Sequence, residues 1–179
     1  IDDSVGEWFE LYNTTDADID INAWDIKDAE SDSVRVFTLG GTVVPAKGYL
    51  VLAASAVDTN GGIADAYVYT YAQFKLSNSD DEIFVMSGDV EVDKVVYDNT
   101  FPGASGASAS LSPQMLTAAD NDLVANWCDG VGDYDTDNAG TPGIVNPECP
   151  FCGDAICNAD ENCDTCDDWA CTATQDCVT

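Results

Sequence analysis

The eight cysteines of this 179-residue chain all lie after position 127, so the long N-terminal part cannot rely on disulfides. An even number of cysteines in a short segment is typical of a disulfide framework made in an oxidising compartment. The sequence therefore predicts a domain with a hydrophobic core over residues 1–146 and a disulfide module over residues 147–179. The cysteines assigned to disulfides are Cys128, Cys149, Cys152, Cys157, Cys163, Cys166, Cys171 and Cys177.

Zinc is the competing explanation for the cysteines, because two C-x-x-C pairs can supply a four-thiolate site. Cys149 and Cys152 form one such pair, and Cys163 and Cys166 form the other. Zinc binding would leave the remaining cysteines unassigned, and the chain contains no histidine. Disulfides are therefore the favoured assignment.

Short apolar runs separated by turn-forming residues fill the cysteine-free part, and this pattern is typical of β-strands. A hairpin is predicted at Ser87-Gly88-Asp89, and residues 104–112 are predicted to form a long irregular connection. The fold class is therefore all-β, an immunoglobulin-like β-sandwich of about seven strands with a small C-terminal disulfide-rich module. The predicted strands include residues 7–12, 19–22, 34–39, 49–52, 83–86 and 92–97.

The charge balance argues against several classes of partner. The chain has 34 acidic and five basic residues, which gives a formal net charge of -29 at pH 7. Phosphate backbones and anionic membrane surfaces attract clustered Lys and Arg, so we expect no nucleic-acid binding. No apolar stretch reaches the roughly 18 residues of a membrane span, so direct membrane insertion is not expected. Bound calcium, ambient salt or plain solvation must offset the repulsion among the carboxylates.

The residue types argue against catalysis, and the chain is predicted not to be an enzyme. Without histidine it lacks the usual general base for a nucleophile and the usual ligands of a metallohydrolase. Glu7 and Glu10 could act together on a sugar, but their spacing on a strand puts them on opposite faces. They are interpreted as a strand rim solvated by water.

Two acidic segments are candidate calcium sites. Alternating Asp residues in the D-x-D-x-D pattern can direct several hard oxygens toward one calcium ion, although the glycine and glutamate of an EF-hand are missing. The alternative for both segments is an acidic loop solvated by water. The candidate ligands are Asp129, Asp133, Asp135 and Asp137 in the first segment, and Asp154, Asn158, Asp160 and Glu161 in the tail.

One glycosylation sequon and four tryptophans have structural interpretations. Asn13-Thr14-Thr15 forms the sequon and is interpreted as a turn rather than a glycan site. Trp8, Trp24 and Trp127 are interpreted as core residues rather than sugar-binding platforms. Trp169 in the tail is the tryptophan expected to be exposed.

Four segments resemble the lamin tail domain, the immunoglobulin-like β-sandwich of nuclear lamins and of many secreted bacterial proteins. The resemblance implies a domain without catalytic activity. Family members usually carry an apolar strand before the first motif, whereas residues 1–5 here include two aspartates. The four segments are residues 6–24, which open with GEWFELYN; residues 39–52, which end in YLVL; residues 74–80, which open with FKLSN; and residues 127–146, which run from a tryptophan through GTPG to an asparagine.

The tail is similar to short cysteine-rich repeats of secreted bacterial surface proteins. Residues 152–166 follow the repeat, apart from Ala155, where glycine is usual. Cys171 and Cys177 depart from the compact ending of the repeat, so the pairing of the last bridges is left open.

These observations predict a secreted, extracellular protein of the cell surface. The chain begins with Ile1 rather than Met, which is typical of a product whose targeting segment has been removed. The expected function is a structural or adhesive unit of a bacterial cell surface or filament, stabilised by calcium. Its partners would be further copies, other surface proteins or an extracellular matrix polymer. The alternative is an accessory binding module of a larger secreted hydrolase, such as a nuclease or protease.

Because the cysteines lie where apolar burial is thin, we expect no free thiol in the native protein. A thiol reagent applied under denaturing but non-reducing conditions should label none of the eight cysteines. Labelling after reduction is the control, since the reagent should then reach all of them. Two or more reactive thiols in the unreduced protein would contradict the disulfide framework.

Overall fold

The computed structural model describes residues 2–103 and 105–149 of the chain. Contacts between Cα atoms divide the chain into two units, Ile1–Pro147 and Glu148–Thr179. Of the second unit, Glu148 and Cys149 are described. The helices and strands of the described residues all belong to the first unit.

Short strands dominate the described residues, and the two helical segments are a turn each. Neither of these helices is long and apolar enough to cross a membrane. Residues 2–5 contribute no strand, since Asp3–Gly6 forms the helical turn α1, and Val124–Asn126 forms a 3-10 turn. The strands are β1 (Trp8–Tyr12), β2 (Ile19–Asp20), β3 (Asp25–Lys27), β4 (Ser33–Arg35), β5 (Val43–Val44), β6 (Tyr49–Ala53), β7 (Tyr67–Val68), β8 (Asp81–Ser87), β9 (Val90–Tyr97), β10 (Ala109–Leu111), β11 (Trp127–Asp129), β12 (Asp133–Asp135) and β13 (Asn138–Ala139).

Two sheets enclose the core. One has the strand order β1-β6-β7, and the larger has the order β4-β3-β8-β9. Successive side chains of a strand point to opposite faces, so every second residue enters the core. This arrangement confirms the predicted all-β, immunoglobulin-like fold class for the described residues. The buried core comprises Phe9, Ile21, Ile26, Val34, Val36, Val44, Leu52, Ala54, Tyr69, Phe74 and Val85.

The predicted hairpin at residues 87–89 is confirmed. Ser87 lies opposite Val90, so Gly88 and Asp89 form a two-residue connection between β8 and β9. Gly88 has a φ of +61°, a conformation that glycine adopts without steric cost and that suits the first position of such a turn. Beyond the turn, β9 is irregular, because a bulge leaves Val92 without an opposite residue on β8.

Several of the predicted boundaries are wrong. The strand predicted over residues 19–22 ends at Asp20. The connection predicted over residues 104–112 contains β10, which pairs with β11. The strand predicted over residues 34–39 ends at Arg35 because side chains take over the backbone pairing. Phe37 N donates to the Tyr67 hydroxyl at 3.0 Å, and Thr38 N donates to Asn22 Oδ1 at 3.0 Å.

Asn13 closes the turn after β1 and confirms the turn interpretation of the sequon. Its side chain is 3% exposed, and its Nδ2 donates to Ala17 O at 2.8 Å and to Val44 O at 3.0 Å. Its Oδ1 accepts hydrogen bonds from both the backbone N and the hydroxyl of Thr15. A glycan would replace one hydrogen of this buried nitrogen and so remove at least one of the two donated bonds.

Replacing Asn13 by Ala should lower the free energy of unfolding by about 1–3 kcal/mol, because the carbonyl of Val44 loses its buried donor. Urea denaturation of the two proteins measures the difference. Asn99→Ala is the matched control, since Asn99 is exposed. Equal stabilities of the two variants would contradict this role of Asn13.

Candidate functional site

The candidate functional site lies on the outer face of β1, where Trp8 and Glu10 point away from the core. The segment that follows β11 packs onto this face. Trp8 Nε1 donates to the Tyr134 hydroxyl at 3.1 Å, and the two rings meet edge to face at 5.9 Å between centroids. This perpendicular arrangement is favoured for aromatic pairs. Trp8 is therefore half-buried under β12 rather than free to stack on a sugar.

The GTPG turn completes the covering of this face. Gly140 has a φ of +155°, and a Cβ there would lie 2.7 Å from Ser108 Oγ and 3.4 Å from the Trp8 ring. Glycine is therefore the one residue that fits without moving its neighbours. Thr141 Oγ1 donates to Asn146 Oδ1 at 2.6 Å, and Asn146 Nδ2 donates to Leu111 O at 2.9 Å.

Glu10 fastens the same turn to β1. Its Oε2 accepts a hydrogen bond from Gly143 N at 2.9 Å. Burial raises the pKa of Glu10 to about 7, and the bond from Gly143 opposes this rise. The carboxylate is thus held near its titration point at neutral pH.

Glu7 fastens the opposite face of β1 to the core. Its Oε1 accepts from the Tyr69 hydroxyl at 3.0 Å, and its Oε2 accepts from Leu76 N at 2.9 Å. Burial, followed by the Glu7 charge, raises the pKa of Tyr69. Glu7 and Glu10 lie on opposite faces, as predicted. Their interpretation as a solvated rim is wrong, because both are bound within the fold.

A cleft of about 340 Å³ lies beside Tyr134. Residues 61–64, 132–134 and 140–142 line it together with Ile144. Asp133 is the one charged residue among them, and the lining contains no basic residue, serine or cysteine. The cleft therefore combines glycine backbone and small apolar side chains with the polar groups of Asp133, Tyr134 and Thr141.

The four candidate calcium ligands after Cys128 are spread over two strands and a turn. Asp129 is the last residue of β11, and Asp133 and Asp135 are the first and last residues of β12. Asp137 lies in the next turn with a φ of +60°. Asp129 Oδ1 accepts from Gly103 N at 2.7 Å. Among the described residues, no three of these four bring carboxylate oxygens within 4.8 Å of one another. Calcium binding by this segment stays a prediction.

One carboxylate cluster that sequence reasoning missed does converge. Oxygens of Asp28, Glu30 and Asp81 lie within 4.8 Å of one another. Repulsion from the Glu82 carboxylate, with smaller effects of Asp28 and Asp81, raises the pKa of Glu30. Asp81 is distant along the chain, and β8 places it beside the turn after β3, so no local motif could reveal the group.

The candidate ligands of the tail lie outside the described residues, as does Trp169. The same is true of six of the predicted disulfide cysteines. Cys128 and Cys149 are described, and each is disulfide-bonded. The undescribed candidates are Asp154, Asn158, Asp160, Glu161, Cys152, Cys157, Cys163, Cys166, Cys171 and Cys177.

Trp24 and Trp127 are packed against other side chains, which favours a structural role over carbohydrate binding. Trp24 packs against the core cluster. Trp127 is half-buried, donates from Nε1 to Asn121 O at 2.9 Å and lies against the Phe101 ring at 5.8 Å between centroids.

Comparison with known proteins identifies the first part of the chain. Residues 1–99 match the family model of the Lamin Tail Domain. The match covers more than half of the 179 residues. No curated protein matches the chain. The GTPG turn lies beyond the matched range, although Glu10 within that range holds it.

Replacing Glu10 by Gln should raise the melting temperature at pH 8. The pKa of Glu10 in the folded protein is about 7, above its ordinary value of 4.5. Glu10 therefore stabilises the fold below pH 4.5 and loses this contribution as pH rises through 7. Glutamine keeps the acceptor for Gly143 without the buried charge. The difference from the native protein should therefore shrink as pH falls toward 4.5.

Asp58→Asn is the matched control for this experiment, because it removes the same charge from an exposed position. If the melting temperature of the Glu10→Gln variant matched that of the control at every pH, a buried carboxylate with a raised pKa would be contradicted.

Proposed function

This chain belongs to the lamin tail domain family, and we propose that it is a non-catalytic structural or adhesive unit of the bacterial cell exterior. The lamin tail domain is a non-catalytic, immunoglobulin-like domain family. The observation that carries the proposal is that both motif carboxylates accept hydrogen bonds within the fold. Glu7 and Glu10 are bound inside the fold, so neither faces a cavity as an acid or base.

The predicted tail extends this proposal. We infer that residues 147–179 form a cysteine-rich disulfide module similar to the repeats of secreted surface proteins. The disulfide-bonded state of Cys128 and Cys149 supports an oxidising location, since such bonds persist outside the cytosol.

Calcium is the proposed mediator of the high charge. The net charge of -29 favours cation binding, and the Asp28, Glu30 and Asp81 oxygens converge without a basic residue among them. Calcium prefers several carboxylate oxygens of this kind. Adhesive partners would be surface proteins, an extracellular polymer or further copies of the chain.

Electron microscopy of the native cell surface with an antibody against this chain tests the proposed role. Labelling of filaments, sheets or matrix is the expected result. Recovery of the native protein with a covalently linked hydrolase domain, away from any such assembly, would overturn the structural role and favour an accessory module.

Calcium should raise the melting temperature by about 5–10 °C more than sodium chloride of equal ionic strength, if the ion is present at about a hundredfold over its dissociation constant. Differential scanning calorimetry in the two salts measures this. Equal effects of the two salts would show that the charge is merely screened.

Three variants locate the ion. Glu30→Gln removes a carboxylate of the converging group, Asp135→Asn removes one from β12, and Asp58→Asn is the exposed control. The specific calcium effect should fall in the first or second variant. An undiminished effect in both would rule out these two segments.

A further inference from the structure

The outer face of the larger sheet is neutral, in contrast to the rest of the chain. Ile26, Val34 and Val85 point into the core, so their neighbours along each strand point outward. Three basic and three acidic residues share this face, which gives a net charge of zero within a chain of net charge -29. These residues are Asp25, Lys27, Arg35, Glu82, Glu91 and Lys94.

The side chains of this face are ordered in two rows that cross the strands. In the first row, Met86 lies between Asp25 on β3 and Glu91 on β9. In the second row, Phe84 lies between Lys27 on β3 and Lys94 on β9. Each row thus has a large apolar side chain near its centre. The first row carries Asp25 and Glu91 together with Arg35 on β4, which is ion-paired with Asp25. The second row carries Lys27 and Lys94.

The bulge in β9 makes this pattern possible. Glu91 and Lys94 are three residues apart and would point to opposite faces of a regular strand. The unpaired Val92 shifts the register, so both point outward, and Lys94 Nζ lies 3.9 Å from Glu91 Oε1. Bulges re-aim side chains in this way.

The face is open to solvent. The side chains of Arg35, Lys94 and Glu91 are 62%, 41% and 48% exposed. Lys27 Nζ lies 5.9 Å from the centre of the Phe84 ring, and Phe84 and Met86 are half-buried. The face therefore combines apolar surface at its centre with charged groups at its sides.

We propose that this face binds the same face of a second copy of the chain about a two-fold axis. An axis that lies between the two rows and runs across the strands brings the first row of one copy over the second row of the other. Asp25 then lies opposite Lys27 of the second copy, Met86 opposite its Phe84, and Glu91 opposite its Lys94. A two-fold interface requires a surface complementary to itself, and the β3, β8 and β9 positions of the two rows meet this requirement. On β4, the same axis brings Arg35 opposite Ser33 of the second copy.

Charge explains why copies meet here rather than elsewhere. Like-charged surfaces repel within the Debye length of about 8 Å at physiological ionic strength, and the neutral face avoids this repulsion. Face-to-face packing of sheets at about 10 Å also buries the apolar centre of each row. The inference rests on the proposed structural role, since it names a second copy as one of its partners.

Sedimentation equilibrium over a range of concentrations tests the proposal. Wild-type protein should form dimers at an ionic strength of about 0.15 M. Lys94→Glu should raise the dissociation constant of the dimer by about tenfold or more, because the symmetry of the interface introduces two like-charge contacts. Lys47→Glu is the matched control, since it causes the same change in net charge at a turn away from the sheet.

The double variant Glu91→Lys, Lys94→Glu should restore dimerisation, because it exchanges the two charges and keeps the pairing. Equal weakening by Lys94→Glu and Lys47→Glu, or no rescue by the double variant, would overturn the face. A wild-type protein that stays monomeric at its highest soluble concentration would do so as well. Melting temperatures close to wild type confirm that each variant folds. Labelling of native assemblies by microscopy tests the structural role separately, since adhesion to another polymer needs no dimer.

Discussion

Strand β1 is packed on both of its faces, and the two parts of the domain meet through it. Phe9 enters the core from one face, while Trp8 and Glu10 hold the GTPG turn and Tyr134 on the other. Glu7 fixes the start of the strand to Tyr69. Phe9 is the buried residue of this five-residue strand, and the other four residues are half-buried.

The same packing accommodates two of the 34 acidic residues of the chain. The carboxylates of Glu7 and Glu10 accept hydrogen bonds from backbone and hydroxyl groups, so they are not left as unpaired buried charges. The repulsion falls on exposed acidic loops, where water, salt or calcium can reduce it. The few basic residues are concentrated on the larger sheet, where they neutralise one face and leave it suited to contact with another copy.

Local patterns predicted the fold, and long-range partners decided the site. The β8–β9 hairpin follows from Gly88 between two apolar runs, and the turn after β1 follows from Asn13. The roles of Glu7 and Glu10 could not be predicted, because Tyr69 and Gly143 approach them only in the folded chain. The neutral face was hidden for the same reason, since it depends on strand register and on a bulge that no sequence pattern marks.

The most direct test of the central role of β1 is a double-mutant cycle between Trp8→Phe and Tyr134→Phe, measured by urea denaturation. Each substitution removes one partner of the Nε1–H···O hydrogen bond and keeps an aromatic ring. The account predicts a coupling of about 0.5–1.5 kcal/mol between the two changes. Effects that are additive within about 0.3–0.5 kcal/mol would show that β1 does not hold β12 through this contact.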